Sequence, residues 1–324
     1  MSRWKNIRHS LEHAAAVAMS RMVPHLSRPA LLTSANLLGQ LAFRIDRRGR
    51  ATALENLHLI FPDWPAGKHA EIALASYRNL ARTVLDLFWS PNLTPQNRHH
   101  YIREDLHIDP SHPHSSTLWI TPHFGNFEWL SISSGLFGSQ IKIIAQDFKN
   151  PALTPIFQAL RTSTGNQAIP RNRAAIRLFK HLKGGGQSAL LSDLTIRPSN
   201  AATIIECFGR KVSVTALHGV LASRTGASIT TAYSLPKNDG TYTHVIGPAF
   251  DVGNATPQEI AQRCWDEFEP VIREHPEYWM WPYKFWRYLP ADTDPATYPS
   301  YANRSKPFDR LLNSQSQPGS SPQS

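Results

Sequence analysis

The segment LWITPHFGNFEWL, residues 118–130, combines a short apolar run, a turn and the start of a helix. The apolar run predicts a buried strand, and a Thr-Pro pair ends it so that His123 lies just beyond its carboxyl end. Gly125 and Asn126 favour turns and helix starts, and Glu128 then begins a helical pattern. Ligand sites in α/β proteins gather beyond the carboxyl ends of strands. The segment therefore predicts a strand–turn–helix unit with candidate functional residues in its turn.

From residue 118 onward, short apolar runs alternate with helical patterns. We expect strands at 118–121, 141–145, 188–191 and 228–233, and helices at 152–162, 174–182, 214–224 and 257 to about 274. The N-terminal third is helical in its pattern throughout. This alternation predicts an α/β fold, in which helices flank a mixed, mostly parallel sheet and a helical portion precedes it.

The composition is that of a globular protein with a sizeable core. The 324 residues are 41% hydrophobic, and Cys207 and Cys264 are the only cysteines, which excludes a disulfide scaffold. The 34 Lys and Arg residues outnumber the 24 Asp and Glu residues and leave a formal net charge of +10. Such a charge favours polyanionic partners: an acidic carrier protein, an anionic membrane surface or nucleic acid.

The first 50 residues concentrate this positive charge. They contain nine basic and two acidic residues, with apolar residues at helical spacing. They also include an uncharged run at 29–43, whose 15 residues are fewer than the roughly 20 that a helix needs to span a bilayer. A basic amphipathic segment beside a short apolar helix predicts interfacial helices and peripheral attachment to a membrane. The alternative is a pair of ordinary packed helices with solvated basic faces.

Three parts are expected along the chain: interfacial helices at 1–50, an α/β domain at 51–289 and a tail at 290–324. The tail is dominated by Pro, Ser, Asn and Gln, which predicts disorder. The segment 278–288, just before the tail, holds three Trp and three Tyr residues. That mixture favours a membrane interface or plain packing over stacking on nucleic-acid bases.

His123 and Glu128 are candidates for acid–base chemistry. Five residues apart, they would project about 140° from each other on a continuous helix, so they meet only if the chain turns between them. Gly125 permits such a turn. A carboxylate that accepts the Nδ1 proton would fix the tautomer of His123 and leave Nε2 as a base. The alternative is an ordinary loop histidine, with Glu128 interacting with the helix dipole.

The sequence HFGNFE at 123–128 resembles the H-x-G-N-W/F-D/E motif of the lysophospholipid acyltransferase superfamily, in particular its lipid A biosynthesis branch. Further segments resemble that branch in the same order: RRGRATALENLHLIFPDW at 47–64, SYRNLAR at 76–82, Arg161 with Gly165, Asp193 at a strand end, CFGRKVSVTAL at 207–217, SRTGASI at 223–229 and PEYWMWPYKFWRY at 276–288. The similarity extends from about residue 10 to residue 288. Ala216 stands where the branch usually has glycine.

This resemblance implies a glycerolphosphate-acyltransferase-like fold and a transfer reaction. A fatty acyl chain would pass from acyl-carrier protein or acyl-CoA to a hydroxyl of an amphiphilic acceptor. His123 would be the general base, with Glu128 or Asp193 as the carboxylate that orients it. A structural alternative for Arg161 and Asp193 is a buried ion pair that braces two strands.

The resemblance also implies substrate-binding residues, namely Arg161, Gly125, Asn126, Arg210 and Thr215. Arg161 would neutralise a phosphate of the acceptor or lie near the developing oxyanion. The backbone N–H groups of Gly125 and Asn126 are alternative oxyanion donors, because they open a helix.

The acceptor class is inferred from features in which this sequence differs from the glycerolipid branch of the superfamily. Proline precedes His123, the acid is glutamate and the F-P-E-G-T-R motif of the glycerolipid branch is absent, which favours an anionic glycolipid such as a lipid A precursor. One alternative is a glycerophospholipid or aminolipid acyltransferase, and another is a non-enzymatic basic protein that binds membrane or nucleic acid. The resemblance implies a peripheral or monotopic protein on the cytoplasmic face of a bacterial inner membrane.

Neither a metal nor a cofactor is expected, because side chains and backbone can supply both proton transfer and charge stabilisation. A histidine-rich loop lacks the spacing of metal ligands. Its histidines are His99, His100, His107, His112 and His114.

Overall fold

The computed structural model describes residues 3–106, 116–145, 148–170 and 172–316. Its α-helices are α1 (Arg3–Met22), α2 (Arg28–Ile45), α3 (Arg47–Ile60), α4 (Ala66–Trp89), α5 (Phe127–Leu136), α6 (Thr154–Thr162), α7 (Ala174–Lys183), α8 (Leu217–Thr225), α9 (Pro257–Glu274) and α10 (Lys306–Ser316). Its strands are β1 (Ile102–Leu106), β2 (Thr117–Thr121), β3 (Ile141–Ala145), β4 (Gln167–Pro170), β5 (Gln187–Leu191), β6 (Ala202–Cys207), β7 (Arg210–Thr215), β8 (Ser228–Pro236), β9 (Tyr242–Ile246), β10 (Tyr288–Leu289) and β11 (Asn303–Arg304). His107, His112 and His114 lie outside the described residues, as do residues 317–324.

In the described part of the chain, seven strands form one sheet in the order β1-β9-β8-β2-β5-β3-β4. Every neighbouring pair is parallel except β8 with β9, so β1 and β9 run against the other five strands. Helices α5, α6 and α7 follow β2, β3 and β4 along the chain, as crossover connections between parallel strands require. The predicted α/β class, with a mostly parallel sheet flanked by helices, is confirmed.

The strands that the sequence pattern does not predict are short or polar. β1 and β9 have the sequences IREDL and YTHVI, in which polar residues interrupt the apolar run. β6 and β7 pair as an antiparallel hairpin outside the main sheet. The helix expected at 214–224 begins only at Leu217, because one apolar run continues from β7 into α8 without a visible break.

The aromatic segment 278–288 belongs to the hydrophobic core. Trp279, Trp281 and Trp286 are at most 1% exposed, and they lie in the same core cluster as Leu118 of β2. These tryptophans therefore serve packing, and the membrane-interface interpretation of this segment is wrong for them.

The N-terminal helices combine a packed face with an exposed apolar face. α2 packs along α4 so closely that a Cβ atom on Gly39 would lie 2.5 Å from Cα of Arg78. The exposed apolar side chains of α1 and α2 include Trp4, Ile7, Leu11, Met22, Leu37, Leu38, Leu41 and Ile45. Among the described residues, no helix has both the length and the apolar character needed to cross a membrane.

Residues 290–316 are folded, which differs from the disorder that their composition predicts. β10 pairs with β11, and the Phe308 ring of α10 is fully buried and stacks on Tyr288 at 5.6 Å. Arg304 donates hydrogen bonds to the carbonyl groups of Pro290 and Ala291. One buried aromatic ring and one arginine thus fix a segment whose average composition is polar.

Candidate functional site

His123 and Asp193 meet because their strands are neighbours in the parallel sheet. β2 and β5 pair in a register that places Thr121 opposite Leu191. His123 and Asp193 each follow two residues later, so they leave the same edge of the sheet side by side. Nδ1 of His123 lies 2.7 Å from Oδ1 of Asp193, and the backbone N–H of His123 donates to Oδ2 at 2.9 Å. The predicted position of His123 at a strand end is confirmed.

A third hydrogen bond completes the surroundings of Asp193. The indole Nε1 of Trp279 donates to Oδ2 at 3.1 Å, and the carboxylate is fully buried. Burial alone would raise the pKa of Asp193, but the charge of His123 and the hydrogen bonds from His123 and Trp279 outweigh it and lower that pKa. Asp193 therefore stays ionised and holds Nδ1–H of His123.

The other ring nitrogen of His123 is left free to act. The side chain is 13% exposed, and within the described part of the chain Nε2 has no hydrogen-bond partner. Its ring packs edge-on against Phe127, with 4.9 Å between the centroids. An imidazole with Nδ1–H on a carboxylate and a free Nε2 can accept a proton from a substrate hydroxyl.

Glu128 is paired with Arg161 and not with His123. Glu128 lies in the first turn of α5, and Arg161 lies in the last turn of α6. Nε of Arg161 donates to Oε2 at 2.9 Å, and Nη2 lies 2.5 Å from Oε1. Burial would lower the pKa of Arg161, but Glu128 outweighs it and raises that pKa. The structure thus separates two pairs, and the alternative ion pair between Arg161 and Asp193 does not form.

Gly125 provides the turn that the sequence predicts. Its φ is +58°, and a Cβ atom there would lie 1.6 Å from the carbonyl oxygen of Ser234. Its N–H donates to the carbonyl of Tyr278 at 3.0 Å. Its own carbonyl accepts from Asn79 at 3.2 Å and from Thr83 at 3.0 Å. The loop that carries His123 is therefore held on both sides.

Asn126 has a structural role in this loop. Its Oδ1 accepts from the N–H of Trp129 at 3.1 Å and so caps α5, and its Nδ2 donates to Asp86 at 3.1 Å. Its backbone N–H points to the carbonyl of Ser234 at 3.4 Å. The N–H groups of Gly125 and Asn126 are both engaged within the protein in this conformation, and their alternative role as oxyanion donors stays a prediction.

Arg210 and Thr215 lie on the β6–β7 hairpin and not with the two pairs. Arg210 donates to the carbonyl groups of Thr297 at 2.7 Å, Phe208 at 2.8 Å and Leu59 at 3.3 Å. Burial lowers its pKa. Thr215 accepts a hydrogen bond from the N–H of Leu217 at the start of α8. The hydrogen bonds of Arg210 brace the hairpin, that of Thr215 lies at the start of α8, and substrate binding by both residues stays a prediction.

Sequence reasoning missed two buried groups behind this site. Trp279 donates a hydrogen bond to Asp193, but the aromatic residues beside it in the sequence favoured a membrane-interface interpretation of the segment. Asp86, fully buried, accepts hydrogen bonds from Asn126, from the Tyr242 hydroxyl and from Arg28 at 2.5 Å. A lone carboxylate inside the apolar run of residues 84–89 was the available signal.

The sequence comparisons agree with this arrangement. A search of curated protein sequences gave no match. A sequence profile of the bacterial lipid A biosynthesis acyltransferases matches residues 4–288, which is most of the chain and includes both pairs. The chain therefore belongs to the bacterial lipid A biosynthesis acyltransferase family.

Proposed function

We propose that this protein transfers a fatty acyl chain from an acyl-carrier protein or acyl-CoA thioester to a hydroxyl of a lipid A precursor or related glycolipid. The observation that carries the proposal is the His123–Asp193 pair, with a free Nε2 at the carboxyl end of β2. Membership of the family supplies the acyl-transfer class.

In this proposal His123 is the general base. Nε2 accepts the hydroxyl proton while the hydroxyl oxygen attacks the thioester carbonyl carbon. The tetrahedral intermediate then collapses, the C–S bond breaks, and the leaving thiolate takes the proton from the imidazolium. Asp193 stabilises the imidazolium during this cycle and itself stays ionised. No protein nucleophile is needed.

Arg161 is proposed to stabilise negative charge, either on the developing oxyanion or on a phosphate of the acceptor. Its Nε and Nη2 are committed to Glu128, which leaves Nη1 outside that pair. Glu128 follows Phe127, whose ring contacts His123, so the same helical turn contacts the base and holds the cation. With the loop N–H groups engaged, a guanidinium is the stronger candidate for this role.

We also propose peripheral attachment to the cytoplasmic face of a bacterial inner membrane. The exposed apolar side chains of α1 and α2 accompany the nine basic residues in the first 50 positions. Anionic lipid would attract the basic residues, and the apolar side chains would enter the interface. Replacing Leu37 and Leu41 with serine should lower binding to anionic vesicles, whereas serine at Ile176, an exposed apolar residue of α7, should not.

The test of the function is acyl transfer by the purified, detergent-solubilised protein. Acyl-carrier-protein thioester and acyl-CoA are each tried as donor, and a lipid A precursor and a lysophospholipid as acceptor. His123→Ala should abolish transfer to the lipid A precursor, while the exposed His100→Ala should retain it. Transfer only to the lysophospholipid would replace the glycolipid acceptor by a glycerophospholipid. No transfer by folded, vesicle-bound wild-type protein with either donor would favour a membrane-binding protein without this activity.

A further inference from the structure

A polar cleft of about 280 Å³ lies between α2 and α4, behind the loop that carries His123. Its walls include the guanidinium-bearing Arg78 and Arg82 and the amides of Asn36, Asn79 and Asn238. No member of the His123–Asp193 or Glu128–Arg161 pairs lines it. The cleft is therefore a separate feature of the fold.

The arginines of this cleft are under-neutralised. Within the described residues, Nε of Arg78 and Nε of Arg82 are buried without a hydrogen-bond partner. Arg82 donates its other nitrogens to neutral carbonyl groups and lies 3.7 Å from Asp86, a carboxylate that Arg28 already contacts at 2.5 Å. Glu277 is the one acidic residue of the lining. Within the lining, two guanidinium groups thus face one carboxylate, and Asp86 behind Arg82 is shared with Arg28, which leaves an excess positive charge at the cleft.

The position of the cleft relates it to a lipid surface. Asn36 is an exposed residue of α2, and Leu37, Leu38 and Leu41 continue the same helix as exposed apolar side chains. A charged headgroup in the cleft would therefore lie beside the helix that carries these exposed leucines. Guanidinium and amide groups together are suited to a phosphate, which offers several acceptor oxygens to N–H donors.

We propose that this cleft binds the phosphate group of an anionic membrane lipid. The bound phosphate group would also brace the loop that carries His123, because the lining residue Asn79 donates to the carbonyls of both Gly125 and Tyr278 at 3.2 Å. Tyr278 adjoins Trp279, which holds Asp193. Lipid binding in this cleft requires no catalytic turnover, so its test is independent of the proposed acyl-transfer reaction.

The test is calorimetric titration of the purified protein with dihexanoyl phosphatidic acid, a water-soluble lipid, and with inorganic phosphate. Arg78→Gln should weaken lipid binding about ten-fold or more, as expected for loss of a charge-assisted hydrogen bond. Glu277→Gln removes the one lining carboxylate and should tighten binding. Arg177→Gln changes an exposed arginine of α7 outside the cleft lining and should leave the dissociation constant within about two-fold.

Two results would overturn the proposal. The first is lipid binding by Arg78→Gln that equals wild type, provided that both proteins have the same melting temperature without ligand. The second is inorganic phosphate binding as tightly as the short-chain lipid, which would assign the cleft to free phosphate. If Arg78→Gln fails to fold, Asn36→Asp tests the same point from an exposed position, since its added negative charge should weaken lipid binding.

Discussion

Replacing Asp193 by asparagine would preserve the shape of the side chain but change which nitrogen of His123 carries the proton. Oδ2 of Asp193 accepts from two groups that are only donors, the backbone N–H of His123 and the indole of Trp279. The asparagine oxygen must therefore face them, and its NH₂ group must face Nδ1. Nδ1 then has to be the acceptor, so the proton of the neutral ring moves to Nε2. That nitrogen can no longer act as a base.

The magnitude follows from the loss of both tautomer and charge. A comparable change in a Ser-His-Asp triad lowers kcat about 10⁴-fold, and we expect about 10³–10⁴-fold here. At 1.36 kcal/mol per factor of ten, this is about 4–5.5 kcal/mol of lost transition-state stabilisation. Because Asp193 is buried behind His123, the loss should appear in kcat and leave KM nearly unchanged.

Single-turnover acyl transfer under saturating acceptor measures this effect directly. The control is Asp266→Asn, which makes the same substitution on the exposed face of α9 and should retain full activity. Far-ultraviolet circular dichroism and a melting curve establish that both variants are folded. A folded Asp193→Asn protein with activity within ten-fold of wild type would refute the role assigned to this carboxylate.

Three further predictions concern the second pair, the loop and the response to acid. Glu128→Ala and Arg161→Ala should each reduce kcat/KM. Because the two residues share one ion pair, the loss of transition-state stabilisation in the double variant should be about 1–3 kcal/mol smaller than the sum of the two single losses. Additive losses would contradict this. Gly125→Ala should lower the free energy of unfolding by more than about 3 kcal/mol in urea titrations, since its Cβ would overlap a carbonyl oxygen of β8. At Gly138, where φ is +87° but no atom lies within 4 Å, the same change should cost only about 1 kcal/mol, so equal losses would disprove the overlap. Burial lowers the pKa of His218 to about 4, so between pH 6.5 and 4 the unfolded chain binds one more proton than the folded chain. The free energy of unfolding should therefore decrease by about 3 kcal/mol as the pH is lowered through this range. His218→Leu should remove that part of the acid dependence in urea titrations at pH 7 and 4.5, and an unchanged dependence would count against this role of His218.

The sequence predicts the centre of the sheet better than its edges. Apolar runs reveal β2, β3, β5 and β8 because both faces of a central strand are covered. The edge strand β1 and its neighbour β9 carry polar residues that remain compatible with pairing, and their pattern does not separate them from loops. The folded segment at 290–316 depends on one buried ring, Phe308, which an average over composition conceals.

The sequence predicts the base of the candidate site, His123, but not which carboxylate pairs with it. His123 follows from the end of an apolar strand. Glu128 and Asp193 both qualify as its carboxylate from sequence, since the choice depends on strand register and on the phase of α5. The side chain of Asn126 fixes that phase by capping the helix, and Arg161 then takes Glu128. The cap is local to the segment, but Arg161 comes from a different helix, so the pairing of Glu128 is not a local property of the motif.

The buried Asp86 changes how the N-terminal helices can be studied. Arg28 of α2 reaches this carboxylate, which also holds the loop residue Asn126. A protein shortened to remove α1 and α2 would leave Asp86 without one of its cations, and breaking a buried ion pair in this way costs about 3–5 kcal/mol. Such a truncation would loosen the loop that carries His123 as well as remove the helices proposed to bind lipid. The proposed membrane attachment and the proposed activity are therefore best separated by surface substitutions on the exposed faces of α1 and α2, which leave Arg28 in place.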